Sequence, residues 1–192
     1  MTDPYCWPGS TCLRNRLGIR DSGSLAAVEL RIVAVRDVEI ARTTVPGDYN
    51  LAHYKAFHRF LFRDVYEWAG ESRTVDIAKP GSMFCHWRYV DDEVSSVLAQ
   101  LMRDGHLIGY SLEGFLERLA NYYGELNARH AFREGNGRAT RAFLRQLAAA
   151  AGFLLDWSEL DPDANIEACR VNLATAETAP LIKVLRPVVR RI

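Results

Sequence analysis

The amino-acid sequence predicts an all-α fold, a helical bundle that carries one short β-hairpin. Apolar residues recur at helical spacing through most of the 192-residue chain, and a single segment departs from that period. No internal repeat, low-complexity tract or Gly/Ser-rich linker divides the sequence. We therefore expect one domain over residues 1–192, with enough mass to bury a core.

Five segments combine helical spacing with residues that start or stop helices. In the first, Leu25, Val28, Ile32 and Val35 form the apolar stripe that follows a turn-like DSG sequence. The others lie near residues 51–61, 94–101, 115–126 and 137–152, and a further helix starts at Asp161-Pro162.

Residues 74–87 depart from the helical period. Thr74–Ile77 and Met83–Trp87 flank the turn sequence KPGS. In that turn Pro80 presets the first central residue and Gly81 accepts a positive φ, as a type II turn requires. We interpret the segment as a short hairpin, with an irregular loop as the alternative.

Charge and cysteine usage disfavour several classes of protein. The 24 Lys and Arg residues balance the 24 Asp and Glu residues, whereas a direct nucleic-acid binder usually carries a basic excess. The sequence starts without the basic and apolar runs of a signal peptide, and it has no apolar stretch long enough for a membrane span. The four cysteines lack metal-ligand spacing and are interpreted as reduced thiols, although Cys6 and Cys12 could pair in an oxidising compartment. We expect a cytoplasmic protein that makes no membrane contact.

The segment at residues 130–141, HAFREGNGRATR, joins two predicted helices and has the composition of an anion site. Gly135, Asn136 and Gly137 lead into a helix whose first N–H groups have no intrahelical partner, and glycines let such groups converge on one centre. Arg138 and Arg141 lie three residues apart in the first turn, where cations oppose the helix dipole unless an anion binds there. The pattern indicates a polyphosphate, whose oxygens match the forked donors of arginine.

Two further residues of this segment indicate chemistry in addition to binding. Glu134 alone would repel phosphate, but it becomes favourable as a ligand of Mg²⁺ that bridges two phosphates. His130 lies on the opposite side of the loop, and histidine titrates close to neutral pH, as a general base requires. Together these residues predict nucleotide chemistry on an incoming hydroxyl, without stating which phosphate is attacked.

This segment matches the HxFx(D/E)GNGRxxR signature of the Fic family at every fixed position, with Ala131 where the family usually has proline. Leu61–Gly70 followed by Arg73 resembles the segment before the family's flap, and DPY at residues 3–5 resembles the start of compact bacterial Fic toxins. The resemblance covers roughly residues 1–155. It implies the Fic fold, a helical core with a β-hairpin flap, here at about residues 74–87.

The resemblance implies a protein adenylyltransferase, which transfers AMP from ATP to a Thr, Ser or Tyr hydroxyl of a target protein. His130 would accept the hydroxyl proton, Glu134 would hold Mg²⁺, and Phe132 would anchor the loop in the core. The residues implied to bind the nucleotide are Glu134, Gly135, Asn136, Gly137, Arg138 and Arg141 and, at the flap turn, Lys79 and Pro80. The flap residues implied to pair with the target's backbone as an added strand are Val75, Asp76 and Ile77.

Many Fic proteins carry an inhibitory helix with an (S/T)xxxE(G/N) motif, and this sequence contains no such motif. The absence resembles the class whose inhibitor is a separate small antitoxin protein. For compact toxins of that class, the resemblance implies the ATPase subunits of DNA gyrase and topoisomerase IV as targets.

Two alternatives to AMP transfer stay open. One is a relative within the family that transfers the γ-phosphate or another diphosphate-linked group, which Gly137 disfavours because the kinase-like branch typically has Lys there. The other is a catalytically silent nucleotide-binding module, which would not require both His130 and Glu134.

Overall fold

The computed structural model describes residues 3–79 and 82–192. In this part of the chain it contains seven α-helices and four short strands. The helices are α1 (Ser22–Ala41), α2 (Leu51–Phe62), α3 (Val90–Arg103), α4 (Leu112–Arg129), α5 (Asn136–Ala150), α6 (Pro162–Thr175) and α7 (Ala179–Leu185). The strands are β1 (Ala78–Lys79), β2 (Ser82–Met83), β3 (Phe153–Leu155) and β4 (Val189–Arg191). The predicted helical fold with a short β-hairpin is confirmed.

Several helices begin where a side chain replaces the missing backbone acceptor. The carboxylate or carbonyl oxygens of Asp21, Asn50 and Asp161, and the hydroxyl of Ser111, accept N–H groups in the first turns of α1, α2, α6 and α4. Within the described residues, no helix is both long and apolar enough to cross a membrane.

The core forms where α5 packs against α1, α2 and α4, while α3, α6 and α7 pack on α4. Aromatic side chains fill its centre: Tyr54, Phe57, Phe115, Phe132 and Phe143 are all less than 2% exposed. Burial of such rings contributes most of the favourable free energy of packing. Through Phe132, the loop between α4 and α5 is thereby attached to the buried core.

Helix α1 buries only part of the apolar stripe in its sequence. Leu25 is buried, but Val35 is 60% exposed, and the buried positions continue through Glu29, Val33 and Ile40. The predicted stripe was wrong in part because a charged residue, Glu29, occupies a core-facing position. No hydrophobicity pattern identifies such a residue.

The β-hairpin is shorter than the predicted one. Ala78 pairs with Met83 and Lys79 with Ser82, whereas Thr74–Ile77 lies before the first strand. The strand prediction for Thr74–Ile77 was wrong because this backbone bonds to side chains: the Arg73 guanidinium donates to the Val75 carbonyl, and the Thr74 N–H donates to the Tyr5 hydroxyl. The predicted turn residues Pro80 and Gly81 lie outside the described residues.

A second two-stranded sheet joins β3 to β4 in antiparallel register, with Leu154 opposite Arg190. The sequence pattern does not predict it, because three residues are too few to establish an alternation. The sheet ties the end of the described chain to the end of α5.

Arg73 is a buried arginine that connects the start of the flap to the loop after α4. Its side chain is inaccessible to solvent, and its backbone N–H donates to the Ala131 carbonyl. The guanidinium donates to four carbonyl oxygens, those of Val75, Cys85, Arg129 and His130. Desolvating a guanidinium is costly unless its donors are satisfied, and here backbone dipoles satisfy them.

His58 is a buried histidine on α2 that contacts the same loop from the side of the core. Its Nε2 donates to the Glu134 carbonyl at 3.0 Å, and its Nδ1 accepts the Gly70 N–H at 2.8 Å. Its ring stacks on Phe132 with centroids 3.9 Å apart. Burial lowers the pKa of His58 to about 3, so the ring is neutral at physiological pH.

We expect Arg73→Lys to destabilise the protein. Lysine keeps the charge but lacks the planar fork, so backbone carbonyls lose their donors, at a cost of about 2–4 kcal/mol in the free energy of unfolding. Urea denaturation measures the loss. Arg170→Lys is the matched control, because Arg170 pairs with Glu167 at the surface, and it should leave the midpoint nearly unchanged. Equal shifts in the two variants would contradict the structural role of Arg73.

His58 should make stability depend on pH. Its folded pKa lies below the unfolded value of about 6.5, so the contribution is fully present above pH ~6.5 and is lost as pH falls toward the folded pKa. The free energy of unfolding should therefore fall by up to about 1.4 kcal/mol per pH unit from this group alone. His58→Gln, which can still donate to Glu134, should remove that slope between pH 4 and 6.5. Identical slopes in both proteins would refute the assignment.

Candidate active site

The loop between α4 and α5 carries the sequence motif of residues 130–141. Helix α4 ends because His130 adopts a left-handed backbone conformation, with φ 47° and ψ 62°, which redirects the chain. Helix α5 begins at Asn136, directly after Gly135 at φ +79°. The predicted helix–loop–helix turn is therefore present.

Asn136 holds the loop in shape through its side-chain amide. The Asn136 carbonyl oxygen accepts the Phe132 N–H, and its amino group donates to the Phe132 carbonyl, both at 2.7 Å. These two bonds stabilise the loop, and the backbone N–H of Asn136 lies at the start of α5. The expected contact of Asn136 with phosphate stays a prediction. Phe132 itself is fully buried, as an anchor of the loop requires.

Gly135 and Gly137 are glycines for two different reasons. At Gly135 the φ is positive, and a Cβ would lie 2.2 Å from the Phe62 ring, so a side chain has no room. At Gly137 a Cβ would lie 3.2 Å from Nη1 of Arg141. A larger residue there would make a tight contact with the second motif arginine, whose guanidinium would have to shift by a few tenths of an ångström.

The motif residues line a cavity of about 490 Å³. His130 lies on one side, and the Gly135–Arg138 segment with Arg141 lies on the other. The first N–H groups of α5 have no intrahelical acceptor and add the positive end of the helix dipole. The cavity therefore has the size and the sign of potential that a nucleotide polyphosphate requires.

The two motif arginines have different surroundings. Nη2 of Arg138 contacts the carboxylates of Glu29 at 2.7 Å and Glu134 at 3.2 Å, and its guanidinium lies over the Phe62 ring. Across residues 3–79 and 82–192, no carboxylate forms an ion pair with Arg141. An incoming anion would therefore meet one arginine held by acids and a second one without a described acidic partner.

His130 has the geometry of a general base. Its Nδ1 lies 3.1 Å from the Asn127 carbonyl, and because a carbonyl oxygen only accepts, this contact assigns the ring proton to Nδ1 in the neutral form. Nε2 then carries the lone pair that can take a proton. The ring stacks on Phe84 at 3.8 Å, which fixes its plane.

Glu134 is the acid of the loop and is partly exposed. Its carboxylate accepts the Gly135 N–H at 2.8 Å and pairs with Arg138. In the described part of the chain, no group of three or more His, Cys, Asp or Glu side chains could hold a metal ion by itself. The single carboxylate of Glu134 fits Mg²⁺, which is commonly bound by one or two carboxylates together with substrate phosphates and waters.

Several residues of the cavity were not predicted from the sequence. Phe84 follows the hairpin, Tyr123 and Asn127 lie on α4, and the far wall is a face of α6 that includes Asn165 and Cys169. The Tyr123 hydroxyl donates to the side-chain amide oxygen of Asn165 at 3.0 Å, and this bond joins the two helices. No local motif marks these residues, because only the packing of α6 on α4 brings them to the site.

The flap residues lie where the two short strands begin. Asp76 is exposed; its carboxylate accepts the Trp87 N–H and lies 3.3 Å from Nε2 of His86. Val75 and Ile77 are half-buried. Lys79 belongs to β1, and Pro80 lies outside the described residues. Their expected contact with nucleotide, and the expected docking of the target by the flap, stay predictions.

A second cavity of similar size shows that volume alone does not select the site. It measures about 510 Å³, is lined by residues such as Tyr5, Trp7 and Trp68, and contains no residue of the 130–141 motif. The cavity beside His130 is distinguished by converging groups: a base, two arginines, a carboxylate and a helix N-terminus.

The family comparison agrees with the motif. The sequence model of the Fic/DOC family matches residues 48–148, which include the hairpin and the whole of the 130–141 segment.

Curated relatives cover most of this chain. Protein adenylyltransferase VbhT from Bartonella schoenbuchensis is 43% identical over 83% of this chain, which spans 33% of that longer protein. "Probable protein adenylyltransferase Fic" from Salmonella typhimurium is 42% identical over 81% of this chain and 76% of its own length. "Probable protein adenylyltransferase y4lH" from Sinorhizobium fredii is 38% identical over 97% of this chain and 95% of its own length.

Solved structures share the fold. The BepC protein from Bartonella tribocorum, with bound AMPPNP, superposes with a TM-score of 0.93 at 25% identity, covering 98% of this chain and 97% of that one. The N-terminal Fic domain of a Bartonella quintana protein also reaches 0.93, at 23% identity over 97% of this chain and 94% of that one. The motif, the fold and the relatives agree. The chain therefore belongs to the Fic/DOC family and is an enzyme of the protein adenylyltransferase type.

Proposed function

We propose that this enzyme transfers AMP from ATP to a Thr, Ser or Tyr hydroxyl of a target protein. The observation that carries the proposal is the position of His130 across one cavity from the α5 N-terminus and the two motif arginines. A base that faces a polyphosphate site suits the attack of a hydroxyl on a phosphorus atom.

In the proposed reaction, Nε2 of His130 takes the proton of the target hydroxyl as its oxygen bonds to the α-phosphorus. The bond from that phosphorus to the bridging oxygen breaks, and pyrophosphate leaves with the electron pair. Arg138 and Arg141 hold the β- and γ-phosphates and so orient the leaving group. The N–H groups at the start of α5 stabilise charge that develops on the phosphate oxygens.

Glu134 is the residue that would hold Mg²⁺ beside the substrate phosphates. When bound, the ion supplies positive charge that neutralises the phosphate oxygens. Glu134 would then exchange its contact with Arg138 for the metal, which leaves that arginine more strongly available to phosphate.

The target is proposed to dock on the flap. Strands β1 and β2 pair with each other and form a two-stranded ribbon beside His130, to which Phe84 connects them. A two-stranded ribbon presents edges with unpaired backbone groups, to which an extended target segment can add. Hydrogen bonding to backbone would align the target without fixing its sequence.

A separate small antitoxin is proposed to inhibit the enzyme. A groove between α1 and α5 is lined by Leu30, Val33 and Ala34 and reaches Arg141. Leu30 is 64% exposed, although it is apolar. A helix with an (S/T)xxxE(G/N) motif could cover these apolar residues and place its glutamate on Arg141.

We further propose that the enzyme is a toxin that acts on the ATPase subunits of DNA gyrase and topoisomerase IV.

Incubation with labelled ATP tests the reaction. Protein, Mg²⁺ and the ATPase subunit of DNA gyrase are mixed with ATP labelled on either the α- or the γ-phosphate. We expect label to enter the target from α-labelled ATP only, and His130→Ala to lower the rate by about 10²–10⁴-fold. Met102→Ala, on the distant exposed face of α3, is the control. Label from γ-labelled ATP would show a kinase. The assay is repeated with a bacterial lysate in place of the gyrase subunit, and the absence of label from either ATP in both assays would favour a silent module.

Growth assays test the antitoxin surface. Expression of the enzyme alone should slow bacterial growth, and co-expression of a small protein bearing the (S/T)xxxE(G/N) helix should restore it. Leu30→Glu places a charge in the α1 groove, so the variant should stay toxic and resist rescue. Met102→Glu, which changes an apolar residue of similar exposure on α3, should be rescued normally. Equal rescue of both variants would exclude the groove as the docking surface.

A further inference from the structure

Glu29 is a carboxylate in the core-facing side of α1, far in sequence from the 130–141 motif. It is 6% exposed, and it is placed among buried residues of the helix. Burial of a carboxylate is costly unless a cation or hydrogen-bond donors compensate it. The partners of Glu29 therefore indicate why it is there.

Two groups compensate the Glu29 carboxylate. Nη2 of Arg138 lies 2.7 Å from Oε1, and the Tyr66 hydroxyl donates to Oε2. Tyr66 is 1% exposed. Burial, followed by the hydrogen bond and the charge of Glu29, raises the pKa of Tyr66, so its hydroxyl remains a donor. Glu29 thus joins a rigid buried tyrosine to an arginine of the nucleotide cavity.

Of the two carboxylates beside Arg138, Glu29 is the closer and the better fixed. Its side chain is 8% exposed, whereas that of Glu134 is 45% exposed and lies 3.2 Å away. Both carboxylates contact the same nitrogen, Nη2, so the described contacts leave Nε and Nη1 for phosphate oxygens. If Glu134 were to hold Mg²⁺ instead, Glu29 would be the acid that still pairs with Arg138.

We propose that Glu29, itself fixed by Tyr66, is a positioning residue that orients Arg138 toward the β- and γ-phosphates of ATP. The proposal rests on the proposed function of the cavity. A long arginine side chain otherwise loses considerable rotamer entropy when it binds a ligand, and an ion pair that holds it beforehand removes part of that cost. The Phe62 ring under the guanidinium, at 4.7 Å, restricts it further.

Nucleotide affinity in a catalytically inactive background tests the proposal. In His130→Ala protein, calorimetric titration with ATP and with AMP separates contacts to the β- and γ-phosphates from contacts to the rest of the nucleotide. We expect Glu29→Ala to weaken ATP binding by about ten- to hundredfold and AMP binding by less than about twofold. Glu29→Gln, whose amide oxygen still accepts from Arg138 and Tyr66, should recover part of the ATP affinity.

Two further variants keep the test decisive if Glu29→Ala folds poorly. Tyr66→Phe removes one donor and leaves the ion pair, so it should weaken ATP binding less than Glu29→Ala does, again without affecting AMP. Glu39→Gln changes a carboxylate at the exposed end of α1, which pairs with Arg36, and should leave both affinities unchanged.

Three results would overturn the proposal. Equal weakening of ATP and AMP would make Glu29 a purely structural residue. Tighter ATP binding in Glu29→Ala or Glu29→Gln would show that the carboxylate competes with phosphate. Unchanged affinity for both nucleotides would show that Arg138 needs no support. Because binding is measured without turnover, each result is independent of whether AMP transfer itself is observed.

Discussion

The Arg73 guanidinium lies at the point where the base of the flap meets the end of α4. It donates to carbonyls on both sides, at Val75 and Cys85 in the flap segment and at Arg129 and His130 in the helix end. A neutral side chain could not satisfy so many acceptors at once. The orientation of the His130 backbone and the position of the hairpin therefore depend on one another. A target that docks on the flap, as proposed, would therefore have a fixed position relative to His130.

The nucleotide cavity is organised around charges that are only partly neutralised. The acids Glu29 and Glu134 hold Arg138, while Arg141 and the start of α5 supply positive potential without a described carboxylate. Phe132 and the neutral ring of His58 support the loop from the core. Because neither side chain is charged, they do not repel the positive groups of the cavity. A polyphosphate would complete this arrangement, which explains why so many cations converge at one helix start.

The sequence predicted the parts of this protein that follow from local rules. The helices follow from spacing and caps, and the 130–141 segment follows from glycines and arginines at a helix start. Prediction from the sequence failed where tertiary contacts determine the local structure. Glu29 lies outside the predicted apolar stripe of α1 and is nevertheless buried. Thr74–Ile77 bonds to side chains instead of pairing as a strand, and the α6 wall of the cavity comes from a distant segment. Asn136 was recognised as a motif residue, but the sequence did not show that its side chain also bonds to the Phe132 backbone and holds the loop.

In the proposed function, ATP lies in the cavity with its α-phosphate toward His130. A crystal structure of His130→Ala with ATP and Mg²⁺ tests it most directly. We expect the β- and γ-phosphates to lie on Arg138 and Arg141, with the α-phosphorus open to attack from the side of residue 130. A nucleotide bound in the reverse direction, with the γ-phosphate at that position, would contradict AMP transfer.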